Sequence, residues 1–298
     1  MRVYILLLLG LLGFFSLFEY SFSHPQSTSA ALLAQLPDHN DLITPVSPTP
    51  VWPFTQQIVS EEEPKASPAA QPEQDSDYCL DVPIIMYHHI QPLQQAQLLG
   101  HEQLTVDSDV FEKQMAYLVE EGYTALSAED LTYALINHEQ LPEKPIIITI
   151  DDGYIDNYSY AFLMAKKYNL IMNFMISTEL IGKPDYMTWD HLKEMSQSPV
   201  ARIYNHTATH APVGLHSKAE IADELNKSTQ HFKSNLDLDV HIFAYPYGSF
   251  STVAVEMLEK HGFAAAFTTV PGRRQCESQR MLLNRDHIGN APLTEYGL

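Results

Sequence analysis

Positive charge is what this chain has least of. Its 298 residues carry 17 Lys and Arg against 37 Asp and Glu, a formal net charge of −20. A surface of that sign repels phosphate backbones, which excludes a nucleic-acid partner and leaves neutral or cationic ones. Cysteine is nearly absent, with only Cys79 and Cys276. Neither lies near the end of the N-terminal apolar run, so a lipid-modified cysteine there is excluded. No internal repeat is present, which argues against a stacked-repeat architecture. Glycine is missing altogether from residues 24–78, a stretch that holds nine of the 19 prolines and many Ser, Gln and Glu. It shows no sustained periodicity and reads as an extended tether. Its one strongly apolar patch, Val51, Trp52, Pro53 and Phe54, reads as a local docking contact.

The N-terminus carries an export signal. Arg2 precedes an uncharged run over 3–18 that ends at Glu19, and Ser21 and Ser23 supply small residues where a signal peptidase cuts. The run is also at the short edge of a membrane span, roughly 17–25 residues, so residues 1–23 are a cleaved signal or an anchor holding the protein at the membrane. Either way the expectation is an exported protein of the periplasm or cell envelope.

From residue 79 to 298 short apolar runs alternate with amphipathic helices. Residues 82–86 and 145–150 read as buried strands, the second almost wholly β-branched and apolar, as suits a parallel strand covered on both faces. Phe111, Met115 and Leu118 recur at helical spacing before Gly122. A helix is expected through Tyr160, Leu163, Met164 and Lys167. Ser217 and Glu220 form a capping box that opens another, running to about Phe232. Residues 173–177, 241–244 and 264–268 complete the set of strands. Strands alternating with helices over some 200 residues predict a parallel α/β architecture, and a barrel of that kind gathers its active groups at the C-terminal ends of its strands. Such a barrel would also bring Cys79 and Cys276 together; a disulfide and two free thiols both remain open.

Three polar clusters fall at three expected strand ends: the aspartates after 145–150, His206 after the short run 202–205, and Tyr245, Pro246 and Tyr247 after 241–244. Asp151 and Asp152 follow the 145–150 run, and Gly153 permits a sharp turn after them. Adjacent carboxylates repel, so burying both requires a metal or a cation. An acidic turn capping the next helix is the plain alternative. His206 and His210 are four apart; on a helix they would share one face and reach one ion, although surface histidines are common in a chain with 14 of them. The absence of Glu after His206 excludes the HExxH pattern of zinc proteases. One carboxylate and two imidazoles leave a divalent ion with open positions, and a spare carboxylate beside them can take a proton from water. An iron oxygenase uses a similar ligand set, but the adjacent second carboxylate disfavours it.

Together these segments resemble the polysaccharide deacetylases (the NodB homology domain, carbohydrate esterase family 4). TIDDGY at 149–154, NHTATH at 205–210 and FAYPYG at 243–248 resemble that family's first three motifs, in order. MYHHI at 86–90 and the YPYG form of the third motif look most like the branch that deacetylates poly-β-1,6-N-acetylglucosamine in biofilm matrices. The resemblance implies a distorted (β/α)7–8 barrel and hydrolysis of N-acetyl groups on an N-acetylglucosamine polymer. It implies Asp152, His206 and His210 as ligands of a divalent metal, zinc first and cobalt or nickel next. Asp151 would be the base that activates the attacking water, with the metal and the Tyr247 N–H on the oxyanion. The family's C-terminal Leu-x-His is replaced here by LNRDH at 283–287, so the proton donor is His88 or, after it, His287, while His89 is structural. Arg285 matches a family arginine that orients the base or touches substrate. Tyr154 and Pro246 join it as substrate-binding candidates, with Asn157 and Trp189 near a sugar groove and Trp189 better explained by packing. Asp185 and Asp190 receive no role. Deacetylation of peptidoglycan or chitin oligomers, a glycan-binding protein with a degenerate site, and association with an envelope exporter or synthase remain open alternatives.

Overall fold

A computed structural model describes residues 77–298. The signal or anchor expected at 1–23, the apolar patch around Trp52 and nearly all of the 24–78 linker lie outside the described residues.

The strands run in chain order as β1 (Cys79–Asp81), β2 (Ile84–Tyr87), β3 (His89–Ile90), β4 (Thr105–Val106), β5 (Thr124–Ala125), β6 (Pro145–Asp152), β7 (Met172–Ile176), β8 (Ala201–Asn205), β9 (Ile242–Ala244), β10 (Ala265–Phe267), β11 (Arg274–Cys276) and β12 (Asp286–His287). Eight of them form one parallel sheet in the order β10-β9-β8-β7-β6-β2-β12, with β5 also paired to β6. A parallel bridge from Phe267 to Leu283 joins the β10 edge to the segment that becomes β12, so the sheet curls into a distorted barrel with a thin seam. This is the expected α/β barrel class. The central strand is β6, buried at every residue after Pro145. It continues two residues beyond the expected 145–150 and includes both aspartates, because Asp151 and Asp152 stay paired with Met175 and Ile176 of β7.

Helices cover the outside. The helix Ser108–Glu120 buries Phe111, Gln114, Met115 and Leu118 at three- and four-residue spacing. The Ser217/Glu220 capping box is formed, and its helix Lys218–Leu236 extends one turn past the expected end, to Asp237 in the left-handed region at φ 53°. The helix expected around Tyr160 begins as a π-turn, Asn157–Phe162, before its α-helical part Leu163–Tyr168. Such turns concentrate at functional sites, and here Asn157 is fully buried and donates its side-chain N–H to the His88 carbonyl at 2.7 Å.

Beside the barrel, β1 pairs antiparallel with β11 in a register that puts Cys79 opposite Cys276, and the two are disulfide-bonded across 197 residues. The bond ties the start of the folded region to its last quarter. A cross-link over so long a loop restricts the unfolded chain strongly. The double substitution Cys79→Ser/Cys276→Ser should therefore lose about 2–4 kcal/mol of stability, read as a lower denaturant midpoint at unchanged slope.

Candidate active site

Both aspartates are buried at the end of β6, and successive side chains of a strand point to opposite faces, so each meets different partners. Asp151 is gripped by Arg285: Nη1 and Nη2 donate to its two carboxylate oxygens, each at 2.7 Å. Arg285 is fully buried and is itself fixed, with Nε donating to the Thr268 carbonyl at 2.8 Å and Nη1 to the Thr149 hydroxyl at 3.1 Å. Burial alone would raise the Asp151 carboxyl; the guanidinium, and then His206, outweigh it and hold the group below the usual carboxylate range. The sequence left Arg285 between orienting the base and touching substrate. Its full burial and two-nitrogen grip on Asp151 favour orienting that carboxylate, and it also borders a cavity of about 730 Å³ shared with Asp286 and His287.

Asp152 turns the other way. Its backbone is left-handed at φ 79°, and Gly153 follows at φ 90°, where a Cβ would press on Ile181 and Ile176. Its Oδ1 lies 3.3 Å from Nε2 of His206 and 3.0 Å from Nε2 of His210. His206 donates from Nδ1 to the Ala244 carbonyl at 2.8 Å, which leaves the Nε2 of a neutral ring carrying a lone pair. That lone pair then faces a carboxylate oxygen that has no hydrogen-bond partner. A proton or a metal cation between the two acceptors relieves that contact, and the three converging atoms fit a metal-ligand set in type and arrangement. Burial opposes the Asp152 charge, yet the two imidazoles hold its carboxyl well below the usual range.

The segment 206–210 is not helical, so the two rings do not meet by sharing a helix face. Thr207 and His210 both sit in the left-handed region, at φ 66° and 65°, and fold the chain back so that the two rings meet at 4.9 Å between centroids. Side chains remote in sequence hold this shape. Asn205 Oδ1 accepts from the Thr207 N–H at 2.8 Å. The buried carboxylate of Glu224 accepts from the N–H groups of Ala208 and Thr209 at 3.0 and 2.9 Å and from the Thr209 hydroxyl at 2.8 Å. The Ser177 hydroxyl donates to the His206 carbonyl at 2.8 Å. Sequence reasoning missed Glu224, Asn205 and Ser177. The only available signal was an acidic residue on the inward stripe of the Lys218–Leu236 helix, between Ile221 and Leu225.

The remaining candidates gather at the same end of the barrel. His88 follows β2, its Nδ1 buried without a partner; burial lowers its pKa against the pull of Asp151 and Asp152. The His287 ring lies 5.8 Å from it, and burial lowers that group as well. His89 is buried and locked to Asp156 at 2.6 Å, consistent with a structural part. Tyr154 stacks on His89 at 3.6 Å, and burial, then the Asp152 charge, pushes its phenol up. Tyr247 is exposed, with a left-handed backbone at φ 58°, and its ring edge meets His210 at 4.5 Å. Pro246 is buried beneath it. Trp189 packs edge-on against Phe232. Replacing Arg285 strands a buried carboxylate. Arg285→Met should cost about 3–5 kcal/mol in a denaturation midpoint, and adding Asp151→Asn should recover a large part of it.

The family model for polysaccharide deacetylases matches residues 138–266, which include both aspartates, the histidine pair and the Tyr245–Gly248 turn but neither His88 nor Arg285. YxkH of Bacillus subtilis, which carries a polysaccharide deacetylase name, is 28% identical over 207 residues, covering 70% of this chain and 71% of that protein. The poly-β-1,6-N-acetyl-D-glucosamine N-deacetylase of Escherichia coli K12 is 26% identical over 231 residues, covering 63% of this chain and 34% of the enzyme; the chain thus spans about a third of that relative's length. Among solved structures, the Streptococcus pyogenes deacetylase PplD in complex with acetate superimposes with a TM-score of 0.65 at 28% identity, over 70% of this chain and 92% of that one. The family-model match runs through the strand ends that carry Asp151, Asp152, His206 and His210, and residues 138–266 form a polysaccharide deacetylase domain.

Proposed function

We propose that this deacetylase removes N-acetyl groups from poly-β-1,6-N-acetylglucosamine, releasing acetate and leaving free amines on the polymer. One observation carries the chemistry: an ionised carboxylate, Asp151 on Arg285, stands next to the three convergent ligand atoms of Asp152, His206 and His210. Support for the β-1,6 polymer comes from the similarity to the Escherichia coli enzyme and from the His88 segment at the end of β2.

Zinc for preference, with cobalt or nickel as alternatives, fits the Asp152, His206 and His210 ligands and when bound would polarise the acetamide carbonyl and acidify a water. Asp151 takes the proton from the attacking water, and the fork of Arg285 holds its carboxylate in one orientation while it does so. Water adds to the carbonyl carbon, the C–N bond breaks, and the amine leaves with a proton. His88 is the proposed donor of that proton, since its Nδ1 is buried, unpartnered and beside both aspartates. His287 is next in line. The Tyr247 backbone N–H is the proposed oxyanion partner, and Tyr154 and Pro246 border the sugar. The apolar run after Arg2 supports an exported enzyme of the periplasm or cell envelope.

Acetate release from defined β-1,6 and β-1,4 N-acetylglucosamine oligomers, with each metal added back, tests this reading. Faster release from the β-1,6 series is expected; activity on the β-1,4 series or peptidoglycan alone would replace the substrate, and binding without release would make the protein a glycan binder. Asp151→Asn should lower kcat by about 10²–10⁴ with metal stoichiometry unchanged, whereas His206→Ala and His210→Ala should lose the metal. His88→Ala should lower kcat on a similar scale, about 10²-fold or more; if it does not, His287→Ala is the variant expected to do so.

A further inference from the structure

The chain between β3 and β4 builds a cleft that the chemistry above does not use. After β3 it forms the short helix Leu93–Leu99, stops at Gly100 in the left-handed region at φ 75°, and returns through residues 101–104. The Thr105 hydroxyl donates to the His101 carbonyl at 2.8 Å and holds the return loop in place. Between this loop and the turn after β6 is a cavity of about 370 Å³ bordered by His101, Glu102, Tyr154, Asp185 and Tyr186. A second cavity of about 190 Å³ shares His89, His101 and Asp185 with it and reaches Gln91. Their combined size is in the range of small-ligand sites, roughly 300–1,000 Å³.

Three features point to a ligand and to its class. Gln91 is 2% exposed, and its side-chain amide nitrogen has no partner; the buried Nδ1 of His101 has none either. Buried polar groups left unpaired cost free energy, so both atoms call for a polar occupant of the space they border. Aromatic rings bound the cleft, with His89 stacked between His101 at 4.3 Å and Tyr154 at 3.6 Å, and Tyr186 5.0 Å beyond Tyr154. Flat apolar surface interrupted by isolated hydrogen-bonding groups suits a pyranose ring. Among the described residues, no Lys or Arg lines either cavity, while Glu102 and Asp185 do. Carboxylate-bearing sugars would therefore meet like charge without a counter-ion. The cleft also adjoins the reacting centre, because Tyr154 borders it and follows Asp152 by two residues.

We infer that this cleft is a subsite for a second hexosamine ring of the polymer, free of carboxylates, beside the one being deacetylated, with Gln91 and His101 as its specificity-determining residues. The inference rests on the substrate reading above and names the part of the chain that makes the enzyme prefer a polymer to a single sugar.

The test compares β-1,6 N-acetylglucosamine monomer and pentamer as substrates for the metal-loaded protein and for two variants, His101→Ala and Gln91→Leu, with a small aryl acetate ester as a third substrate. The wild type should show a higher kcat/KM on the pentamer than on the monomer. Each variant should raise the pentamer KM by about tenfold, the scale of one lost hydrogen bond to a neutral group, with kcat and ester hydrolysis little changed. Gln91→Leu keeps the volume of the buried side chain, so it guards against a trivial folding effect of His101→Ala. If the wild type prefers the pentamer and both variants keep that preference, the subsite is wrong while the substrate reading stands. Parallel loss of ester hydrolysis would assign the two residues to support of His88 and overturn the subsite. If the wild type hydrolyses the ester but neither sugar, the substrate reading itself has failed and the subsite falls with it.

Discussion

Two carboxylates on consecutive residues are buried at the end of the central strand, and each needs its own source of positive charge. That constraint organises the molecule. Asp151 is compensated by Arg285, which arrives from 134 residues further along the chain, on the segment that begins at the Leu283 bridge and becomes β12. Closing the barrel and pairing Asp151 with Arg285 therefore go together. A barrel left open at that seam would leave an uncompensated anion beneath the site, a cost of several kcal/mol. Asp152 faces the other side, where the His206 and His210 rings converge on its oxygen as a metal-ligand set would. The opposed directions of successive strand residues keep the two systems apart although the residues are adjacent.

The backbone around this site is held in unfavourable conformations. Asp152, Thr207, His210 and Tyr247 all have positive φ without being glycine. Each such residue costs on the order of 1–3 kcal/mol and persists only where its surroundings over-determine it. Here the surroundings are identifiable. Glu224 takes up two N–H groups of the 206–210 loop, Asn205 a third, and Ser177 fixes its first carbonyl. The stability of the Lys218–Leu236 helix is thus spent partly on shaping a loop that brings the His206 and His210 rings to one point. The same holds for His89, whose bond to Asp156 and stack on Tyr154 fix the position of the neighbouring His88.

How much of this was legible beforehand depended on the range of the interaction. The strand leading into Asp151 and Asp152, the capping box at Ser217 and Glu220, and the inward stripe of Phe111, Met115 and Leu118 are local patterns, and each formed, the strand running two residues longer than read. The histidine pair was legible as a pair but not as a loop: four-residue spacing suits a helix, and the left-handed residues that replaced it depend on Glu224, which nothing nearby announces. The two- and three-residue strands β3, β4, β5, β11 and β12 are too short to carry a period of two, so their pairing follows from the barrel. Arg285 could be matched to a role but not assigned between two, because its partner is chosen by the seam.

Chemistry written into short stretches of the chain was enough to specify the α/β class, the deacetylase motifs and the carboxylates and histidines that meet at the strand ends, since these rest on residue type and on neighbours a few positions away. Only assembly over long range decided that Arg285 pairs with Asp151, that Cys79 bonds Cys276 across 197 residues, and that a cleft opens between the 100–104 loop and Tyr186. The physical reason is the same in each case. Burial and charge compensation act between atoms that come into contact only when the sheet curls, and no local pattern records which distant segment will arrive there.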